Sequence, residues 1–206
     1  MTRYKTVMAD PPWKYKQSLQ MADGVKRSAE DVYRTVMDTD AICKLVNGMW
    51  TGKIGASEIA TTIMGQPLEN DALLALWVTN PFLLNGDGPK VCRAWGFEPK
   101  QLFTWVKGDL RDDAIVGPLG MGHIFRVDTE HLIIATRGKL NALPVLRHDL
   151  RNYIFVSPKG EHSAKPEEIP ILLETLAPGP YLELFARRPR AGWDVVGDEL
   201  PLTDGV

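Results

Sequence analysis

Cysteine is scarce in this chain. Two residues of 206, Cys43 and Cys92, carry no metal-ligand or redox spacing, so neither a disulfide framework nor a Cys-based metal site is expected. Both read as reduced core thiols of an intracellular, cytoplasmic protein of a bacterial or phage-infected cell. An excess of one charge is lacking too, since 24 Lys and Arg stand against 26 Asp and Glu, a net charge of −2. Proteins that grip nucleic acid strongly by themselves are usually basic, so such contacts would have to come from local patches. No apolar run approaches the ~20 residues of a membrane span. The start, Met1-Thr2-Arg3-Tyr4-Lys5, lacks the apolar segment of a signal peptide. His123, His131 and His148 have no metal spacing, and no metal is assigned. Without repeats or low-complexity tracts, residues 1–206 read as a single domain.

What the chain does have is an alternation of apolar strands and helix-patterned stretches. Thr6–Ala9 reads as a strand and Ala72–Thr79 as a strand covered on both faces. Further strands are expected over Gln101–Lys107, Glu130–Thr136, Tyr153–Ser157 and Tyr181–Ala186, with Trp193–Val196 at an edge. Helices are expected from Asp38 or Thr39 to about Trp50, over Ser57–Met64, near Gly88–Trp95, and from Pro166 to Leu176. Pro170 would distort the last of these if it lay past the first turn. Residues 14–31 and 108–128 read as long loops, and 138–152 as basic and irregular. The pattern predicts an α/β fold with a mostly parallel central sheet and helices on both faces.

The first strand stops abruptly at Asp10-Pro11-Pro12-Trp13. Pro-Pro removes two ladder donors and fixes φ, so the chain must leave the sheet just after Asp10. That places a carboxylate at the strand's C-terminal end, where ligands bind in open α/β sheets. One reading is a plain turn, with Asp10 capping backbone amides and Trp13 packed in the core. The other is chemical. An amino nitrogen whose lone pair is delocalised into a ring is a poor nucleophile, and becomes reactive when fixed acceptors hold its two N–H bonds. Asp10 and the Pro11 carbonyl are such acceptors, and the prolines bring no competing donor. Trp13 offers a planar base a stacking platform. The electrophile suited to such a nitrogen is an activated methyl, with S-adenosylmethionine as its natural donor.

Further segments carry a resemblance. Tyr33-Arg34-Thr35-Val36, Leu76-Trp77-Val78-Thr79-Asn80-Pro81, Trp95-Gly96-Phe97 and Thr104-Trp105-Val106-Lys107 follow in order. After them come Gly120-Met121-Gly122, Glu130-His131, Arg137-Gly138-Lys139, His162-Ser163-Ala164-Lys165-Pro166, Glu183-Leu184-Phe185-Ala186-Arg187-Arg188-Pro189, and Gly192-Trp193-Asp194 with Gly197-Asp198-Glu199. Nearly the whole chain thus resembles the D-P-P-W N6-adenine methyltransferases of the MT-A family, Val36 standing where a Met is usual. The resemblance implies a Rossmann-like class I methyltransferase in permuted order, with the cofactor-binding half after the catalytic half. It implies catalysis by Asp10, Pro11, Pro12 and Trp13, and S-adenosylmethionine held by Asp10, Lys165, Arg187, Asp198 and Glu199. Trp13, Tyr33, Lys107 and Glu130 are implied near the target base. Longer relatives hold the cofactor's adenine ring with an Asp-containing segment upstream of the acceptor motif. That motif begins here at residue 10, so those contacts are expected elsewhere, around Tyr153–Ser157.

Methylation of adenine N6 in DNA is the expected activity, by analogy with small stand-alone members. RNA adenosine methylation and a catalytically silent nucleic-acid-binding subunit are the alternatives. Lys14, Lys16, Lys26 and Arg27, and also Arg187, Arg188 and Arg190, are candidate patches for the polymer. No segment is left over for a separate target-recognition domain, which suggests a short recognition sequence, or a homodimer or partner subunit that adds contacts.

Overall fold

The computed structural model describes residues 2–15, 19–20, 26–27, 36–47, 62–111, 114–116, 127–139, 149, 151, 154–158 and 164–200. In chain order the elements are β1 (Tyr4–Ala9), β2 (Leu19–Gln20), β3 (Lys26–Arg27), α1 (Thr39–Cys43), β4 (Val46–Asn47), β5 (Thr62–Ile63), β6 (Gln66–Val78), α2 (Asn80–Leu84), α3 (Asp87–Ala94), β7 (Glu98–Lys107), β8 (Asp109–Arg111), β9 (Ala114–Val116), β10 (Thr129–Arg137), β11 (Ile154–Ser157), α4 (Glu168–Leu176), β12 (Tyr181–Leu184) and β13 (Trp193–Val196).

A nine-stranded sheet has the spatial order β11-β7-β10-β6-β1-β12-β13, with β5 against β6 and β4 against β5. Strand β1 lies between β6 and β12 and is parallel to both; β13 continues parallel to β12, and β11 is parallel to β7. Strand β10 runs antiparallel to both β6 and β7, and β4 and β5 add antiparallel pairs. The sheet is thus mixed: most of its strands run parallel, as expected, and antiparallel pairs are added at β10 and at β4 and β5. The reversal of β10 has a consequence for the site: its first residues share an edge with the last residues of β1, β6 and β7.

Alternation along the strands builds a core on each face. Val7, Ala9, Leu74, Leu76 and Val78 pack with Ile42 of α1, Phe82 of α2, and Val91 and Cys92 of α3. Met8, Leu73, Ala75, Trp77, Leu132 and Ile134 pack on the other face with Ile169 and Leu173 of α4. The run Ala72–Val78 is buried throughout, as an apolar strand covered on both sides must be.

Several expectations change at element ends. The helix expected to reach Trp50 stops at Cys43, because Val46 and Asn47 pair with β5 instead. Of the helix expected over Ser57–Met64, residues 57–61 lie outside the described residues, and Thr62–Ile63 is a strand. Met64 and Gly65 then turn into β6 with φ of 51° and 77°, the positive pair that a tight two-residue hairpin requires. Pro170 is the third residue of α4, where no intrahelical N–H bond is due, so it fits without distortion. A short helix not foreseen, α2, begins at Asn80 with Pro81 in its first turn.

Candidate active site

The strand register assembles the site. Asp10 follows β1 at the level where Ala9 pairs with Leu76 and Leu184, and its N–H reaches the Leu184 carbonyl at 3.4 Å. Met8, Trp77, Trp105 and Leu132 all point to the α4 face. By the same alternation Asp10, Lys107 and Glu130 belong to that face, at one edge of the sheet. Lys165 sits just before α4, the helix that covers it. Their charges meet in a row. Lys165 Nζ is 2.7 Å from Asp10 Oδ2 and 3.3 Å from Glu130 Oε2, and Lys107 Nζ is 2.5 Å from Glu130 Oε1. Lys165 Nζ also lies 5.6 Å from the centre of the Trp77 ring.

The row is largely withdrawn from water, with side-chain exposures of 15% at Lys165, 11% at Glu130 and 31% at Asp10. Burial pushes the Asp10 carboxyl above its ordinary value; Lys165 pulls it down and Glu130 pushes it up. Although nearly a third of the side chain meets solvent, it lines a cleft with protein around the rest of it. Burial also works against the Glu130 carboxylate, but Lys165 and Lys107 outweigh it and hold the group below its usual range. The Lys165 ammonium is penalised by burial, and Asp10 and Glu130 together more than reverse this, raising its value. Glu130 thus has two lysines while Asp10 shares one. Arg187 adds a weaker favourable charge at Asp10, yet burial still leaves its carboxyl raised.

The D-P-P-W turn packs Trp13 in the core, as the plain-turn reading expects. Trp13 is 6% exposed, donates its indole N–H to the Trp77 carbonyl at 3.1 Å, and stacks on Phe82 at 4.8 Å and 26°. It lines the cleft beside Asp10, yet one ring face and the N–H are already taken. The expectation that no donor competes at the prolines is corrected. The Trp13 N–H bonds the Pro11 carbonyl at 2.9 Å and the Met37 N–H bonds the Pro12 carbonyl at 2.8 Å. A carbonyl oxygen has two lone pairs, so Pro11 can still accept a second hydrogen bond.

On the other side of Asp10 stands the β12–β13 end. Phe185 has φ of 61°, a strained value for a residue with a side chain, where β12 gives way to the Ala186-Arg187 loop. Arg187 pairs with Glu199 at 2.9 Å. Gly197 makes this possible: a Cβ there would lie 2.1 Å from the Ala186 carbonyl oxygen, so only glycine lets the two backbones touch. Asp10, Glu130, Lys165, Arg187, Asp198 and Glu199 line one cleft of about 360 Å³. With Pro11, Pro12 and Trp13, which line it too, nine of the expected site residues are thereby brought together. Lys107 joins them through Glu130, and Tyr33 lies outside the described residues.

Other expectations fare differently. The basic patch of Arg188 and Arg190 is neutralised, since Arg188 pairs with Glu167 and Arg190 pairs with Glu183 at 2.7 Å and with Glu167 at 2.5 Å. Of the residues in loop 14–31, only Lys14 and Tyr15 have described side chains. Of the region Tyr153–Ser157, the described strand β11 lies five strands from β12, roughly 24 Å at about 4.8 Å per strand. The cleft also contains residues that sequence reasoning passed over, namely Tyr15, Met37, Leu45, Met64 and Thr79. Tyr15 carried a signal in its place two residues beyond Trp13. The others, apart from Thr79 at the end of an expected strand, reach the cleft only through the turns around α1 and β5. Among the described residues no group of three or more His, Cys, Asp or Glu is arranged to hold a metal ion. None of their helices is long and apolar enough to cross a membrane.

The chain is similar to known proteins over nearly its whole length. The chain is 26% identical over 202 residues to the type II methyltransferase M.MunI of a Mycoplasma species, covering 97% of this chain and 78% of that protein. It is 28% identical over 202 residues to the N6-methyladenosine RNA methyltransferase MTA1 of Cryphonectria parasitica, covering 96% and 52%. With the human N(6)-adenosine-methyltransferase catalytic subunit METTL3 the identity is 26% over 207 residues, 99% of this chain but 29% of that one. This chain therefore spans most of the Mycoplasma relative and about half or less of these two eukaryotic relatives. The MT-A70 family model matches residues 4–199, and the chain belongs to the MT-A70 family.

Proposed function

We propose that this protein transfers a methyl group from S-adenosylmethionine to the exocyclic N6 amino group of adenine in DNA. The observation that carries the reading is Asp10 at the sheet edge, sharing Lys165 with Glu130 in a cleft that also holds Arg187, Asp198 and Glu199. The cleft's volume lies within the range typical of small-molecule sites. Its donor set suits each part of the cofactor: Asp10 the ammonium, Lys165 and Arg187 the carboxylate, Asp198 and Glu199 the ribose hydroxyls. When bound, S-adenosylmethionine supplies an electrophilic methyl group.

The chain's own residues then act on the amine. The Asp10 carboxylate and the remaining lone pair of the Pro11 carbonyl accept its two N–H bonds and draw the nitrogen toward tetrahedral geometry. Its lone pair thereby becomes available. The raised proton affinity of Asp10 suits it to receive the proton that the nitrogen must lose. Glu130 and Lys107 fix Lys165. Trp13 anchors the turn through its bond to Trp77. A polymer substrate inside the cell agrees with a cytoplasmic location.

The preference for DNA rests on the Mycoplasma relative, most of whose length this chain matches. RNA is the second reading, favoured by the RNA methyltransferase named among the relatives. A silent subunit is disfavoured by the intact Asp10–Lys165–Glu130 row. Calorimetric titration with S-adenosylmethionine tests the assignment: binding is expected, and is expected to weaken in Lys165→Met and Arg187→Ala. No binding by the wild-type protein would remove both enzyme readings.

A further inference from the structure

Trp13, with one face on Phe82 and its N–H on the Trp77 carbonyl, is a poor free platform for a base. The next aromatic along the chain is differently placed. Tyr15 lines the same cleft and is 40% exposed. Its ring stands edge-on against Phe82, with centroids 5.0 Å apart and planes at 68°. Its hydroxyl lies 2.9 Å from the Thr79 hydroxyl. Trp13, Phe82 and Tyr15 thus form a short aromatic tier running from the core to the solvent side of the cleft. Thr79 and Phe82 fix the outermost ring, so its orientation is set before a ligand arrives.

We propose that Tyr15 is the aromatic residue that meets the target adenine as it enters toward Asp10, while Trp13 serves the packing beneath it. The proposal rests on the methyltransferase reading above and assigns within it the contact that distinguishes a planar base from other amines. Prearranged rings lose little freedom when a base stacks on them, and they accept bases in either polymer. The hydroxyl orients the ring and is not needed for stacking itself. Phenylalanine is therefore expected to replace Tyr15 well, and alanine poorly.

The test uses the full chain with S-adenosylmethionine and a pool of random-sequence single-stranded DNA, with the matching RNA pool in parallel. Wild-type turnover is measured first. Tyr15→Ala is expected to raise the apparent KM for the pool by about 5- to 150-fold, the range that loss of one base–aromatic stack represents. Its affinity for S-adenosylmethionine by calorimetry and its urea midpoint should match the wild type. Tyr15→Phe is expected to stay within about twofold of wild-type KM, since the stacking face is kept. An active wild type with unchanged KM in Tyr15→Ala overturns the assignment alone. So does equal damage in Tyr15→Phe, which would point to the hydroxyl instead. A wild type that methylates neither pool overturns the functional reading, and this one with it.

Discussion

Replacing Lys165 with methionine removes the cation that Asp10 and Glu130 share while leaving a side chain of similar length. Breaking a buried ion pair from one side costs about 3–5 kcal/mol, because the partner charge stays behind. The lower end, about 3 kcal/mol near pH 8, is expected here. Lys107 still faces Glu130, and Asp10 keeps some contact with water. The loss should depend on pH with a definite sign. In the wild type Glu130 is held below its ordinary value, so its contribution is present above the unfolded value and fades as pH falls through the lowered one. Lys165 is raised, so its contribution persists through neutral pH and fades only as pH climbs through its raised value. Asp10 is raised, and it favours the fold more at low pH in either protein. Without Lys165 both carboxyls shift upward, and protonation relieves them as pH falls. Each unit of upward shift returns about 1.4 kcal/mol once the medium is below it. Urea unfolding of both proteins from about pH 5 to pH 8 should therefore show a gap that narrows toward acid. An equal gap at both ends, or none at pH 8, would refute the charge row as described.

Two further perturbations probe the frame around the row. Gly197→Ala drives a Cβ into the Ala186 backbone; urea unfolding should show a loss of about 1–3 kcal/mol and calorimetry a weaker hold on S-adenosylmethionine, because the Asp198–Glu199 turn must retreat. Trp13→Ala should cost about 3–5 kcal/mol as a buried indole is lost. Trp13→Phe should cost only about 1 kcal/mol for the bond to the Trp77 carbonyl, and thermal unfolding separates the two variants.

Much of this was legible from particular residues. Pro11 and Pro12 fixed where β1 ends, and hence where Asp10 stands, because proline's lack of an N–H acts locally. Ala72–Val78 announced a central strand through unbroken apolar character. What stayed hidden depends on pairings distant in sequence. Nothing local says that β10 runs antiparallel to β6, yet that reversal brings Glu130 to the same edge as Lys107 and Asp10. Lys165 looked like an isolated cation and proves to be shared by carboxylates 155 residues away on one side and on a reversed strand on the other. The Arg188–Arg190 patch looked basic because the partners that neutralise it, Glu167 and Glu183, come from a helix start and a neighbouring strand. Helix periodicity over Ile42–Met49 misled in part, since strand pairing at Val46 and Asn47 overrides it.

If Asp10 orients an adenine amino group for methylation, its loss must abolish transfer at that nitrogen. Wild-type protein and Asp10→Ala are incubated with methyl-labelled S-adenosylmethionine and unmethylated DNA or RNA, and the nucleosides are separated. Label is expected in N6-methyladenine nucleoside from the wild type, in DNA above RNA, and none from Asp10→Ala with its circular dichroism unchanged. Label on another atom, or undiminished transfer by Asp10→Ala, would contradict that role.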